Sequence, residues 1–181
     1  MGVLEKSSRA IQKNKPLYAF RQVQPISSII AISGFELLTK FFVVCVIGII
    51  CFFLRQDIEI ADPLEVIAIV LRVWIIATSV GTLIALAACH VPEVSKLMQI
   101  ITRPMFFISG IFFSLQDIPQ EYWPYLTWNP LLHAVELSRF AAYPAYGDLG
   151  VSYLFLDAAT IVSLFFALAC YHIGWKQAIS R

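Results

Sequence analysis

Four stretches of the chain stay apolar for long enough to cross a bilayer, which takes about 20 residues of helix. They cover 29–54, 66–88, 97–115 and 149–175, and each carries its own charges. The first holds Glu36 and Lys40 and the second Arg72. The third holds Arg103, followed by Pro104, and the fourth holds Asp157. This pattern predicts an all-α membrane protein with four transmembrane helices.

The stretch 116–148, between the third and fourth runs, has a different pattern. Pro119, Pro124, Pro130 and Pro144 cut it into short pieces, since proline ends or kinks a helix. Trp123, Tyr125, Trp128, Tyr143 and Tyr146 suit the headgroup level, where an amphipathic ring meets oil and water. Asn129 reads as a helix N-cap with Pro130 at the first helical position, and a short helix follows over 131–140. On it His133, Glu136 and Arg139 recur every three residues and share a face. The expectation is short interfacial or re-entrant helices capping an outer opening, with irregular backbone at depth only where protein or a wet cavity covers it.

Orientation follows from lysine and arginine in the flanks. Residues 1–28 hold Lys6, Arg9, Lys13, Lys15 and Arg21, and the tail holds Lys176 and Arg181. The connection after the first run holds Arg55 among Asp57, Glu59, Asp62 and Glu65. Both termini are therefore expected in the cytoplasm, with 116–148 outside.

Composition strengthens the membrane reading. Hydrophobic side chains make up 59% of the 181 residues and charged ones only 14%, too few to cover a soluble surface. A net charge of +1 gives no basic face for nucleic acid. Cys45, Cys51, Cys89 and Cys170 lie in or beside apolar runs without a CxxC pair, so they read as small apolar side chains.

The charges inside the runs are the candidate chemistry. Glu36 and Lys40 stand at i, i+4 with the acid first, the better order for a helical ion pair, and are read as an intramembrane pair. A part in coupling or in a polar path is the other reading. Arg72 and Asp157 either snorkel outward or pair across helices. His133-x-x-Glu136 is half of a di-metal helix motif, which needs a second copy and two more carboxylates. A hydrogen-bonded ion cluster, or a gate that touches substrate, is the alternative. Phe106, Phe107, Phe112 and Phe113 crowd around Gly110, facing lipid and neighbouring helices or lining a path on which sugar faces stack. No GxxxxGK[ST], GxGxxG or GxSxG occurs, which excludes a phosphate loop, a dinucleotide fold and a serine elbow.

Three stretches together resemble the membrane subunit of the ABC-2 polysaccharide exporters, closest to the capsule-export branch. They are KNKPLYAFRQVQPISSIIAISGFELL at 13–38, HVPEVSKLMQIITRPMFFISGIFFSLQDIP at 90–119 and WPYLTWNPLLHAVELSR at 123–139. In the third, Asn129, Pro130, His133, Glu136 and Arg139 stand at matching places, with Trp123 and Trp128 beside them. Family members have six spans and an interface helix, so the resemblance implies an ABC-2 transmembrane domain incomplete at its N-terminus, with 1–28 as cytoplasmic tail and coupling helix. It further implies a homodimeric permease in the bacterial inner membrane, paired with a separate ATPase that binds ATP and magnesium. The chain itself would bind no cofactor. A helix around 15–23 would dock in the ATPase through Tyr18, Phe20 and Arg21. The outer helices would gate the exit of a lipid-linked polysaccharide. The alternatives are a membrane-embedded enzyme using His133 and Glu136 on lipid-linked sugars, and a truncated permease without activity.

Overall fold

The computed structural model describes residues 2–19, 23–55 and 60–180, and every regular element among them is helical. In chain order these are α1 (Gly2–Ser8), α2 (Ala10–Lys13), α3 (Pro25–Phe53), α4 (Pro63–His90), α5 (Glu93–Ile108), α6 (Trp123–Leu126), α7 (Pro130–Ala142) and α8 (Tyr153–Ser180). Short 3-10 turns fill the connections at Lys15–Ala19, Leu115–Asp117, Gln120–Tyr122 and Pro144–Tyr146. Prolines open α3, α4 and α7, where the missing N–H would have had no partner in any case. The Asp62 carboxylate caps α4 by accepting the Glu65 N–H.

Among the described residues, three helices are long and apolar enough to cross a membrane: Pro25–Phe53, Pro63–His90 and Tyr153–Lys176. The run 97–115, expected as a fourth span, takes another form. Its helix α5 begins earlier, at Glu93, and stops at Ile108 after 16 residues, about 24 Å of rise. The chain then turns at Gly110, whose φ is 76°. A Cβ there would sit 2.8 Å from Leu132 Cδ1, so both the backbone and the space require glycine. The last helix also starts later than 149. Gly150 is left-handed at φ 83°, and an added Cβ would lie 2.7 Å from the Trp123 ring.

Helix α4 is the hub, packed by α8, α1 and α7. At its Asp62 end, the N–H groups of Ala61 and Asp62 donate to the carbonyls of Ala142 and Ala141 at 3.1 and 2.9 Å. From there α7 runs back along α4, where Ala134, Leu137 and Ala141 pack with Ile69, Ile76 and Leu156. At the His90 end, Ala10, Ile11, Tyr18 and Ile29 pack with Ala85 and Leu86. Residues 2–18 therefore pack against the bundle. Ser7 and Ala10 have no exposed surface at all, and Gln12 donates to the Ala88 carbonyl at 2.8 Å. Gly81 makes the close approach possible, since a Cβ on it would meet Ser7 Cβ at 2.7 Å.

Two of the charge clusters inside the helices join separate elements. Arg72 binds Asp157 through Nε at 2.6 Å and Glu65 through Nη1 at 3.2 Å, tying α4 to α8. Glu36 pairs with Lys6 on α1, which corrects the expected Glu36–Lys40 pair. Ile29, Ser33 and Glu36 form the buried seam of α3, and α1 covers that seam only as far as Glu36. Lys40 follows one turn beyond it and remains exposed.

The α1–α4 approach predicts that Gly81→Val destabilises the fold by about 1–3 kcal/mol through overpacking. Gly48→Ala is the control, because nothing lies within 4 Å of the added carbon. Thermal unfolding in detergent should separate the two; equal melting temperatures would mean that α1 does not dock here.

Candidate functional site

The residues singled out on α7 fall into two groups that serve different neighbours. The helix begins as its sequence dictates. Asn129 is extended, its side chain accepts the Leu131 N–H at 3.0 Å, and Pro130 occupies the first turn. The helix runs on to Ala142, two residues past the expected end. His133, Glu136 and Asn129 are buried at 4%, 3% and 1% exposure.

Glu136 and Arg139 form the first group and hold the break that follows α5. The Glu136 carboxylate accepts the Leu115 N–H at 2.8 Å, the Ser114 hydroxyl at 3.4 Å and Arg139 Nη1 at 2.9 Å. The Arg139 guanidinium donates to the carbonyls of Gly110, Ile111 and Phe113 at 2.7, 3.1 and 2.8 Å. Backbone groups between Gly110 and Leu115 lack helical partners, and leaving such groups dry and unpaired is costly. The planar fork of arginine suits several acceptors at once. Ser114 adds a capping box with Asp117 that opens the next turn. The pair is a latch on irregular backbone.

His133 works alone. Its Nε2 lies 2.7 Å from the Thr127 carbonyl, and its Nδ1 lies 3.0 Å from the Ser152 N–H. A carbonyl only accepts and an amide N–H only donates, so Nε2 carries the hydrogen and Nδ1 is bare. The neutral ring thus joins the residues before α7 to those before α8, and it lies 4.5 Å from the Phe155 ring. Burial pushes its pKa below the ordinary histidine range, against a smaller opposing effect of the Thr127 carbonyl. His133 and Glu136 therefore face different partners, and no hydrogen bond joins them. No cluster of three or more His, Cys, Asp or Glu side chains fit for a metal occurs among the described residues. Of the three residues on the shared face, Glu136 and Arg139 form a hydrogen-bonded ion pair, and His133 is not part of it.

The aromatic residues divide similarly. Trp123 is half-buried, donating to the Ile118 carbonyl at 2.9 Å, whereas Trp128, Tyr125 and Tyr122 stand exposed. On the other side of the molecule, Tyr18 is buried in the α2–α3–α4 cluster. Its ring is therefore not presented to a partner as expected. Phe20 and Arg21 lie outside the described residues. In the same turn Leu17 is 48% exposed, beside exposed Lys15 and Pro16. Sequence reasoning passed over it, although an apolar residue following Lys-Pro in a basic segment was a usable signal.

Sequence comparison adds relatives to this geometry. The profile of the ABC-2 type transporter family matches residues 11–143. Two polysialic acid transport proteins of Escherichia coli are each 37% identical over 169 residues, covering 93% of this chain. The chain spans 66% of the length of each of these relatives.

Two predictions come from the latch and the histidine. Glu136→Ala strands Arg139 and the Leu115 N–H, and should destabilise the fold by about 3 kcal/mol, the scale for breaking a buried pair. Glu136→Gln keeps an acceptor for Leu115 and should lose less; a proton-transfer role would instead make the two variants equally damaging to activity without loss of stability. For His133, the folded-state pKa lies below the unfolded one, so the unfolded chain takes up the proton first. Stability is full above about pH 6.5 and falls as pH drops toward the folded-state value. Melting curves of His133→Gln between pH 7.5 and 5 should slope less than those of the parent; parallel slopes would remove His133 as the cause.

Proposed function

Because this chain belongs to the ABC-2 type transporter family, we propose that it is the permease part of an ATP-driven exporter of a lipid-linked capsular or other cell-surface polysaccharide. The observation that carries this reading is 37% identity to polysialic acid transport proteins across 93% of the chain. The fold supports it. Among the described residues three helices have spanning length, Glu36, Arg72 and Asp157 on them are each paired with an opposite charge, and His133 and Glu136 are saturated by the chain's own groups. An enzyme would need at least one of them free.

We assign the His90 end to the cytoplasm and the Asp62 end to the outside of the bacterial inner membrane, with both termini cytoplasmic. α5 and the latched segment after it make the fourth crossing together. α5 leaves the His90 end, and Leu115 lies against Glu136, less than two turns of α7 from the Ala141 contact with Asp62. A crossing of this kind tolerates its irregular stretch because Arg139 and Glu136 cover the backbone groups. α6 and α7 then act as re-entrant outer helices, with Trp128 and its tyrosine neighbours at the interface.

In the working assembly two copies pair with two copies of a separate ATPase, which holds ATP and magnesium. The segment 15–23 is the coupling element. Tyr18 anchors it to the bundle, while Leu17, Phe20 and Arg21 meet the ATPase, residue types suited to an interface core. The test is co-purification with the ATPase, a chain bearing a phosphate loop. Phe20→Ala with Arg21→Ala should cut recovery of the complex about tenfold or more, the scale of a contact hot spot, with membrane insertion unchanged. Recovery equal to the parent would mean that the coupling element lies elsewhere.

A further inference from the structure

The three helices of spanning length leave a groove between them that the described residues do not fill. It has a volume of about 180 Å³ and lies between α3, α4 and α8, walled by Ile29, Ile30, Ile75, Leu164, Ala167 and Leu168. Most polar groups along it are already spent. The Thr78 and Thr82 hydroxyls donate to the carbonyls of Trp74 and Thr78, both at 2.8 Å. The Trp74 indole donates to the Ser33 carbonyl at 2.9 Å. On this wall only Ser79 has a buried hydroxyl without a partner among the described residues. A buried water needs at least two polar partners, so water fits poorly here and an apolar occupant fits well.

Two hydrogen bonds frame the groove and set its width. The Trp74 bond ties α3 to α4 at the deeper end. At the other end the Tyr171 hydroxyl accepts the Ile26 N–H at 3.2 Å and ties α3 to α8. A further helix, about 10–12 Å across with its side chains, would have to break both bonds, whereas an extended acyl chain would not. Length agrees with a lipid tail. From Trp74 to Thr82 α4 rises about 12 Å, against about 15 Å of hydrocarbon in one leaflet.

The shallow end, toward His90, is cationic. Tyr171 stacks on Trp175 with ring centroids 6.4 Å apart, and Lys176 Nζ lies 5.7 Å from the centre of the Trp175 ring. Tyr18 belongs to the cluster against which Tyr171 packs, and Lys15 precedes it in the same turn. Both lysines are exposed, and neither has a carboxylate partner among the described residues. Tyrosine and tryptophan suit the headgroup level, and the Tyr171 hydroxyl keeps a hydrogen to donate to an ester or phosphate oxygen.

We propose that this groove seats one acyl chain of an anionic phospholipid from the leaflet at the His90 end, with Lys15 and Lys176 at its headgroup. The tail fills the space that α3 leaves against α4 and α8, and so holds α3 to the hub. The site requires only that these helices cross a bilayer and does not depend on what the protein exports.

The test uses the full chain in detergent micelles, with phosphatidylglycerol that carries a photoreactive group in one acyl chain. Adducts are mapped by peptide mass spectrometry. They should concentrate on 26–30, 74–82 and 164–171 over Leu97 and Ile100, exposed apolar residues of α5 at the same end. Unlabelled phosphatidylglycerol should compete about tenfold better than phosphatidylcholine, the scale for two lysines at a membrane surface, and the advantage should shrink as salt rises. Lys15→Gln with Lys176→Gln should bring the two competitors level. Ala167→Phe narrows the groove and should remove its adducts while those on α5 remain. Even labelling of groove and α5 means unselective lipid contact, and absence of groove adducts means that protein fills the space. Either result overturns the proposal, as does equal competition by the two lipids in the parent. A charge variant that keeps the preference, or a folded Ala167→Phe chain whose groove labelling persists, overturns it too. Should Ala167→Phe fail to fold, mapping and competition on the parent still decide.

Discussion

The break between Gly110 and Leu115 depends on one guanidinium. Arg139 reaches from α7 to three carbonyls of that segment, and Glu136 holds both the arginine and the Leu115 N–H. Backbone that leaves the helical pattern among apolar helices has no water to turn to, so its groups must be met by protein. With the latch in place, α5 can end early, Leu132 can pack into the space over Gly110, and α7 can lie along α4. Without it, the polar groups of that segment would seek solvent and draw α7 off the hub.

The hub itself is fitted to its neighbours by small residues at chosen points. Gly81 admits α1 at the His90 end of α4, and the Ala141 and Ala142 carbonyls take the N–H groups that precede Pro63 at the other end. Polar side chains between the helices mostly close on backbone: the Trp74 indole donates to the Ser33 carbonyl at 2.9 Å, and the Tyr171 hydroxyl accepts the Ile26 N–H at 3.2 Å. In a lipid setting such contacts and close packing do the work that water exclusion does in a soluble core.

How much of this was legible in the sequence depended on the range of the interaction. The start of α7 was readable because Asn129 and Pro130 are adjacent and state their own conformations. The helical face shared by His133, Glu136 and Arg139 followed from spacing alone. Pairing of Arg72 with Asp157 stood among the alternatives, since two opposite charges at similar depth invite it. The end of α5 was hidden, because the apolar run 97–115 continues unbroken in hydropathy through the turn at Gly110. The residues that hold it, Leu132 over Gly110 and Arg139 on the Gly110 carbonyl, lie 22 and 29 residues further on. Glu36 was matched with Lys40 on local spacing, while the structure gives it Lys6, 30 residues away. That partner arrives only once α1 has docked on Gly81, a tertiary event with no local mark. The family resemblance was legible for the same reason as the α7 start: it rests on contiguous blocks.

Helix α3 is attached to the rest of the chain along one short edge. Pro25, Ile29, Ser33 and Glu36 are its buried residues, and beyond them it extends to Phe53 with its apolar side chains uncovered by this chain. Mechanically it is a lever with its fulcrum near one end, and the free arm from Glu36 to Phe53 is about 25 Å long. A rotation of about 10° at the fulcrum would displace the tip by roughly 4 Å over that length. The fulcrum lies next to the 15–19 turn, where Tyr18 packs with Ile29, so a displacement of ångström size there would be magnified at the Phe53 end.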